Sequence, residues 1–242
     1  MSVLKLLPHV WCRDVVLRAS VIGSCLVAGS LLAGCTSSML GGTSAEKAMT
    51  EIGWKYADNA IQLELVADAN LNVFNEEPHT LVLGVLQVTS LDDFRKLSST
   101  PQLLNQLLAG KEAQAPIVQV SRFIVSPGQH ALLSLPRAAD VKGIALVAGY
   151  YRSDVRSTAR LFEVPVGLDR KGIVVANYQA LPQPLSLLVE LGPNAIVKAE
   201  VQAPRDAKGA RPPRFLKPLD GTGREIPLTD EPEISTPVLL KP

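Results

Sequence analysis

Thr80-Leu81-Val82-Leu83-Gly84-Val85-Leu86-Gln87-Val88 (residues 80–88) is apolar at nearly every position. Successive side chains of a strand point to opposite faces, so an unbroken apolar run of this length marks a strand covered on both sides. Upstream, Ile61, Leu63, Leu65 and Ala67 alternate with Gln62, Glu64 and Asp68, the pattern of a strand with one dry face. Downstream, Ile117–Ser126 alternates too, but its apolar positions change parity between Val120 and Phe123, which predicts a β-bulge near Ser121-Arg122. Ser126-Pro127-Gly128-Gln129 has Pro and Gly at the centre of a type II turn, leading to Ala131, Leu133 and Leu135. Ile144–Tyr151, Arg160–Val166 and Leu185–Glu190 continue the series. Short strands separated by turn residues, with little helix, read as a mainly β fold, a two-sheet β-sandwich over residues 59–202.

One small helical insertion, residues 90–110, interrupts two strands. Ser90-Leu91-Asp92-Asp93 has the form of a capping box, followed by Leu91, Phe94 and Leu97 at helical spacing. Thr100 and Pro101 start a second helix, Leu103, Leu104, Leu107 and Leu108 form its stripe, and Gly110 stops it. The pair is expected as a cap on one end of the sandwich.

The two ends of the chain differ from this body. Lys5, Arg13 and Arg18 precede an uncharged run, Ala19–Gly34, that is shorter than the ~20 residues a membrane-spanning helix needs. The run closes on Leu32-Ala33-Gly34-Cys35, which resembles the lipobox of bacterial lipoproteins. Residues 1–34 are therefore expected to be a cleaved signal peptide. Cys35 would become the first mature residue, carrying diacylglyceryl and N-acyl (palmitate-type) lipid. Thr36, where inner-membrane lipoproteins often have Asp, points by analogy to the outer membrane, with the domain in the periplasm. Residues 35–58 read as the lipidated N-terminus and a tether, with a short helix over Ala45–Ile52 and with Trp54 and Tyr56 docking its far end.

Beyond Ala203 lie eight of the 18 prolines, among charges of both signs, so residues 203–242 are expected to be mostly extended or disordered. A hairpin of Arg214–Leu219 with Arg224–Leu228, turning at Asp220–Gly223, is the alternative.

Composition narrows the function classes. Cys12 and Cys25 leave with the signal peptide, so Cys35 is the only mature cysteine and no disulfide or cysteine metal site is expected. Cleavage removes three of the 24 basic and one of the 23 acidic residues, leaving 21 against 22 and a net charge near −1. That overall balance does not suggest nucleic acid or an anionic surface as partner. His79 and His130 fall in no metal-spaced motif, and the chain lacks G-x-S-x-G and P-loop patterns. Gly221-Thr222-Gly223 reads as a turn, Asp92-Asp93 as carboxylates at a helix N-terminus, and Glu76-Glu77 as solvated. Arg152, Arg156 and Arg160 with Asp154 read as an exposed charged connection. Neither an enzyme, a cofactor nor a small-molecule substrate is expected.

The order of these features resembles the type VI secretion outer-membrane lipoprotein family, TssJ (also called SciN or VasD). The likeness runs from the strand ending at Ala67, through Leu71-Asn72, Leu81–Val88 and Asp92–Phe94, to Phe123–Gly128 and Leu133-Ser134-Leu135. Ile144–Arg152 and Val164-Pro165-Val166 complete it. The resemblance implies a transthyretin-like sandwich that anchors an envelope complex. Its partner would be the periplasmic domain of a TssM-like inner-membrane protein and, indirectly, a TssL-like protein. It also implies that the loop Asp68–Pro78 contacts that partner, through Asn70, Leu71, Asn72, Val73, Phe74, Asn75 and Glu76. From the residues themselves, Leu71, Val73 and Phe74 are either tucked into the domain or kept for a partner. A periplasm-facing sandwich that binds a glycan or another ligand is the rival reading, and it needs an exposed aromatic platform.

Overall fold

The computed structural model describes residues 42–151, 154–172, 175–204, 219–220 and 222–229. The residues expected to form a signal peptide, Cys35, Arg152 and most of the 203–242 tail lie outside the described residues.

In chain order the elements are helix α1 (Ala45–Thr50), β1 (Ala57–Ala67), β2 (Leu81–Val88), α2 (Leu91–Ser98), α3 (Pro101–Leu108), β3 (Ile117–Val125), β4 (His130–Arg137) and β5 (Gly143–Ala148). A helical turn α4 (Val155–Thr158) follows, then β6 (Ala159–Glu163), β7 (Val166–Lys171), β8 (Asn177–Pro182), β9 (Leu185–Leu191), β10 (Ile196–Gln202) and β11 (Glu225–Ile226). One sheet runs β10-β9-β1-β4 and the second β11-β6-β5-β2-β3, while β7 and β8 form a separate ribbon. β1 is the central line of the first sheet, parallel to β9 and antiparallel to β4.

The two sheets close on one apolar core. Alternate residues of β1 (Ile61, Leu63, Leu65) and β9 (Leu185, Leu187, Val189) meet Leu81, Leu83 and Val85 of β2 and Ile144 and Leu146 of β5. Gln87, though polar, lies buried on this face. Its amide nitrogen donates to Pro136 O at 2.8 Å and its oxygen accepts from the Ala138 N–H at 2.8 Å, so it pins β2 to the end of β4.

The other face of the second sheet carries the helices. Leu86, Val88, Ala145, Val147 and Leu161 pack there with Phe94, Leu104 and Leu107. The insertion is thus a third layer lying on an outer sheet face, not a cap on one end of the sandwich. The apolar 80–88 run has its physical reason in that arrangement: sheet on one side, helices on the other. Gly84 and Gly143 let the helices approach, since a Cβ on them would stand 2.6 Å from Leu108 and 2.3 Å from Leu91 respectively. Ser90 caps α2 by accepting from the Asp93 N–H at 3.2 Å. Thr100 stands at the N-cap of α3, yet its side chain makes no capping hydrogen bond.

Three other strand expectations are corrected. The irregularity in β3 lies at Val118, where Gln87 pairs with Gln119 and Val88 with Ile117, not near Ser121-Arg122. The change of parity arises because β3 is covered on different faces along its length: Val120 packs under the helices, Phe123 and Val125 against the opposite sheet. Ile144–Tyr151 ends as a strand at Ala148, which places Tyr150 and Tyr151 in a connection. Arg160–Val166 is two strands, broken at Val164-Pro165, and β7 departs into the ribbon. The Pro127-Gly128 turn is present, with Gly128 at φ 71° and the Gln129 N–H donating to Ser126 O.

Both ends of the body are held. α1 packs on β8, and Trp54 lies against Arg137, whose guanidinium stands 5.9 Å from the ring centroid and donates to Lys55 O at 2.9 Å. Burial lowers the pKa of Arg137. Tyr56, by contrast, does not dock: it is 57% exposed and its hydroxyl donates to Asp58. In the tail, β11 pairs with β6, while residues 214–218 of the alternative hairpin lie outside the described residues. Arg160 secures β11, its side chain ion-paired with Glu225 at 3.3 Å and donating to Ile196 O and Arg156 O. Arg160 is therefore a structural tie and not part of an exposed charged connection. Ribbon, tether residues and the ends of β2, β4 and β6 gather at one pole, since Ala57 pairs with Arg137 and Val88 with Gly143. The far end of β1 is about 33 Å away at roughly 3.3 Å per residue.

Candidate functional site

At that far end β1 gives way to Asp68-Ala69-Asn70-Leu71-Asn72-Val73-Phe74-Asn75-Glu76-Glu77-Pro78. The first half of the loop is built inward. The Asp68 carboxylate accepts the Asn70 N–H at 2.7 Å, a turn in which a short acidic side chain stands in for backbone. The Leu71 N–H then donates to Asp68 O, and its side chain is fully buried in the inter-sheet core. Asn72 follows at φ 50°, a left-handed conformation that Asn adopts more readily than most residues. Its side chain is buried, its amide nitrogen donating to Thr80 O at 2.9 Å and its oxygen accepting the Tyr151 N–H at 3.0 Å.

The second half is built outward. The Val73 N–H donates to Pro193 O, and Phe74 and Glu77 then exchange backbone hydrogen bonds at 3.0 and 3.1 Å. Asn75 and Glu76, the two residues between them, both have positive φ (52° and 65°), as the central pair of a type I′ hairpin must. Asn suits this position; Glu there carries a backbone cost of about 1 kcal/mol or more. Phe74, Asn75 and Glu76 are exposed.

Phe74 does not stand alone. Its ring stacks on Tyr151 with centroids 4.7 Å apart and planes at 27°, and His79 meets Tyr151 edge-on at 5.3 Å. Phe74 is 47% and Tyr151 57% exposed. The His79 Nδ1 bonds to Glu77 O at 2.8 Å, so this nitrogen carries a proton. Two loops distant in sequence thus present one aromatic surface, with Asn70 and Glu76 exposed on the same loop.

The structure therefore divides the seven loop residues. Leu71 and Asn72 are buried and shape the loop; Val73 is half-buried; Asn70, Phe74, Asn75 and Glu76 face solvent. Tyr151 and His79 were not among the expected contact residues. Tyr150 and Tyr151 lie in the connection after β5 and differ in exposure: the Tyr150 hydroxyl is buried and donates to Ala195 O at 2.6 Å, and burial raises its pKa, while Tyr151 is exposed.

The other titratable residues singled out from sequence have local roles. His130 pairs with Glu64 at 3.1 Å across β4 and β1. The Asp93 carboxyl is held below the usual carboxylate range by Ser90 and then Lys96. Asp154 caps α4 through the Arg156 N–H. Among the described residues no cluster of three His, Cys, Asp or Glu could hold a metal ion, and no helix is long and apolar enough to cross a membrane.

Comparison with known proteins supplies a family. Residues 59–189, more than half of the 242, match the family described as Type VI secretion lipoprotein, VasD, EvfM, TssJ, VC_A0113. Similar solved structures include the type VI lipoprotein TssJ1 from Pseudomonas aeruginosa, 18% identical, covering 62% of this chain and 98% of that one with TM-score 0.43. Serratia marcescens Lip, a membrane-bound component of the type VI secretion system, is 16% identical over 59% and 96% of the two chains, TM-score 0.39. A chain described as the TssM C-terminal domain from EAEC is 14% identical over 59% and 97%, TM-score 0.40. No curated protein matches.

Proposed function

The chain belongs to the type VI secretion lipoprotein family that includes TssJ and VasD, and from that premise we propose that it anchors the secretion envelope complex at the outer membrane. In this reading lipid on Cys35 holds the mature chain in the inner leaflet and the sandwich faces the periplasm. The Asp68–Pro78 loop binds the periplasmic domain of a TssM-like inner-membrane protein, which brings a TssL-like protein with it. The role is mechanical and structural, not catalytic.

One observation carries the reading: an exposed aromatic pair, Phe74 on Tyr151, sits on a rigid buried base at the pole opposite the tether. Exposed rings held in place lose little entropy on docking, which is why such residues dominate protein interfaces. A backbone cost retained at Glu76 in the same tip fits a surface shaped for contact.

The test is capture of a purified TssM-like periplasmic domain by the mature chain and by Phe74→Ala and Tyr151→Ala variants. Loss of capture with an unchanged circular dichroism spectrum is expected; undiminished capture by both variants would falsify the site. A glycan-binding reading draws on the same exposed rings, and saturable titration by peptidoglycan fragments, with no affinity for the TssM-like domain, would favour it instead. For the anchor, Cys35→Ser should release the domain from the outer-membrane fraction without unfolding it, and lipid labelling of the wild-type chain should disappear in that variant.

A further inference from the structure

The ribbon β7–β8 belongs to neither sheet of the sandwich. It leaves the body at Val166, directly after Pro165, and returns at Pro182 beside Leu185, the start of β9. Its base is therefore at the tether pole, and its described outer residues include Arg170 and Lys171, both exposed, and Val175, 36% exposed.

The start of the described chain lies on this ribbon. A Cβ on Gly42 would stand 2.0 Å from Ala176 O, so the two backbones are in direct contact. The Thr43 N–H donates to the Asn177 side chain at 3.0 Å, and the Tyr178 N–H donates to Thr43 O at 3.0 Å. Only residues 36–41 separate Gly42 from Cys35, a reach of at most about 25 Å of fully extended chain.

We propose that the outer part of the ribbon, Arg170, Lys171 and Val175, is a lipid-surface contact that seats the domain on anionic phospholipid headgroups. The proposal rests on lipid being carried at Cys35. Arg170 and Lys171 follow one another in β7 and so project from opposite faces of the ribbon, where its outer end can meet phosphate on both sides, and the exposed Val175 suits the acyl boundary. The near-zero charge of the whole chain gives no sign of this, and the excess on the ribbon is small: Asp169 pairs with Lys171, so Asp169, Arg170 and Lys171 leave β7 with one net positive charge, while on the neighbouring α1 Glu51 pairs with Lys47. Such a seat fixes the orientation of the sandwich, so that the aromatic loop points away from the membrane.

The experiment uses the mature chain, residues 35–242, coupled through its single cysteine to maleimide-headgroup lipid in phosphatidylethanolamine–phosphatidylglycerol vesicles. This makes attachment independent of acylation in cells. Amide hydrogen exchange is compared on and off the vesicles. Exchange should slow at residues 168–172 and 175–179 and stay unchanged at 74–77. Arg170→Glu with Lys171→Glu should abolish the slowing while coupling persists, and each reversal should weaken partitioning of the uncoupled chain about fivefold at low salt. Equal exchange of the ribbon on and off vesicles overturns the proposal, as does slowing that survives the double reversal. Absence of lipid labelling at Cys35 in cells, with the ribbon still protected on coupled vesicles, would overturn the acylation reading and leave the contact standing.

Discussion

The Asn72 side-chain oxygen accepts the backbone N–H of Tyr151 at 3.0 Å, while its amide nitrogen donates to Thr80 O at 2.9 Å. One buried amide therefore ties the loop after β1 to the start of β2 and to the connection after β5. Asn72→Ala takes the partner from the part-buried Tyr151 N–H and Thr80 O and keeps a left-handed backbone that Ala tolerates poorly. A loss of about 2–4 kcal/mol in urea unfolding is expected. A loss below about 0.5 kcal/mol would mean that these groups reach water when the amide is gone.

Leu71 and Phe74 should separate stability from binding. Leu71 is fully buried in the core, so Leu71→Ala should cost about 2–5 kcal/mol of unfolding free energy. Phe74→Ala removes a half-exposed ring and should cost less than about 1 kcal/mol, while weakening partner capture tenfold or more, roughly the size of a central interface residue. The paired measurements are denaturant midpoints and a binding titration on the same preparations.

Glu76 should show the opposite signs. At φ 65° in a two-residue hairpin, Gly is the preferred residue, so Glu76→Gly should stabilise the chain by about 1 kcal/mol. If the carboxylate contributes to the partner surface, the same variant binds more weakly despite its higher midpoint. A destabilised Glu76→Gly protein would show that the tip is not held in the left-handed region.

Glu163 makes a pH-dependent contribution. Burial pushes its carboxyl up, with Arg224 pulling it partly back. The folded state then holds the proton more tightly than the unfolded chain. The stability it contributes is complete below the ordinary carboxylate pKa and falls as pH rises through the window up to the raised value. Glu163→Gln abolishes that fall, so the melting temperature of the variant minus that of the wild type should increase from about pH 4 to about pH 7. A difference independent of pH would show that the carboxyl is not desolvated.

What the sequence made legible, and what it hid, follows from which forces leave a local trace. The 80–88 run announced coverage on both faces, because burial on each side demands apolar residues at odd and even positions alike. It did not say what the cover was, so helices that form a layer were expected at an end. β7, β8 and β10 went unread: the ribbon of β7 and β8 buries only a small cluster around Val166 and Ala180 against α1, too few apolar residues to set an alternation, and β10 carries an irregularity between Ile196 and Lys198 that breaks its own. In the loop, Leu71 and Phe74 look alike in sequence, three residues apart among polar neighbours. Only the turn at Asn72 decides which one enters the core. Tyr151 could not be placed beside Phe74 at all without the pairing of β2 with β5. The asparagines were the one local hint, since Asn72 and Asn75 both occupy left-handed positions.

β1 leads from the tether at Ala57 to the loop at Asp68, with β9 along one edge and β4 along the other. In the proposed arrangement, with lipid at one pole and a partner at the other, the line of tension coincides with this single strand. A strand already extended at roughly 3.3 Å per residue has little slack, so the load passes through the covalent backbone of β1 and not across the ladder hydrogen bonds that flank it. The strand that organises the core is thus also a tie that spares the sheets from the pull.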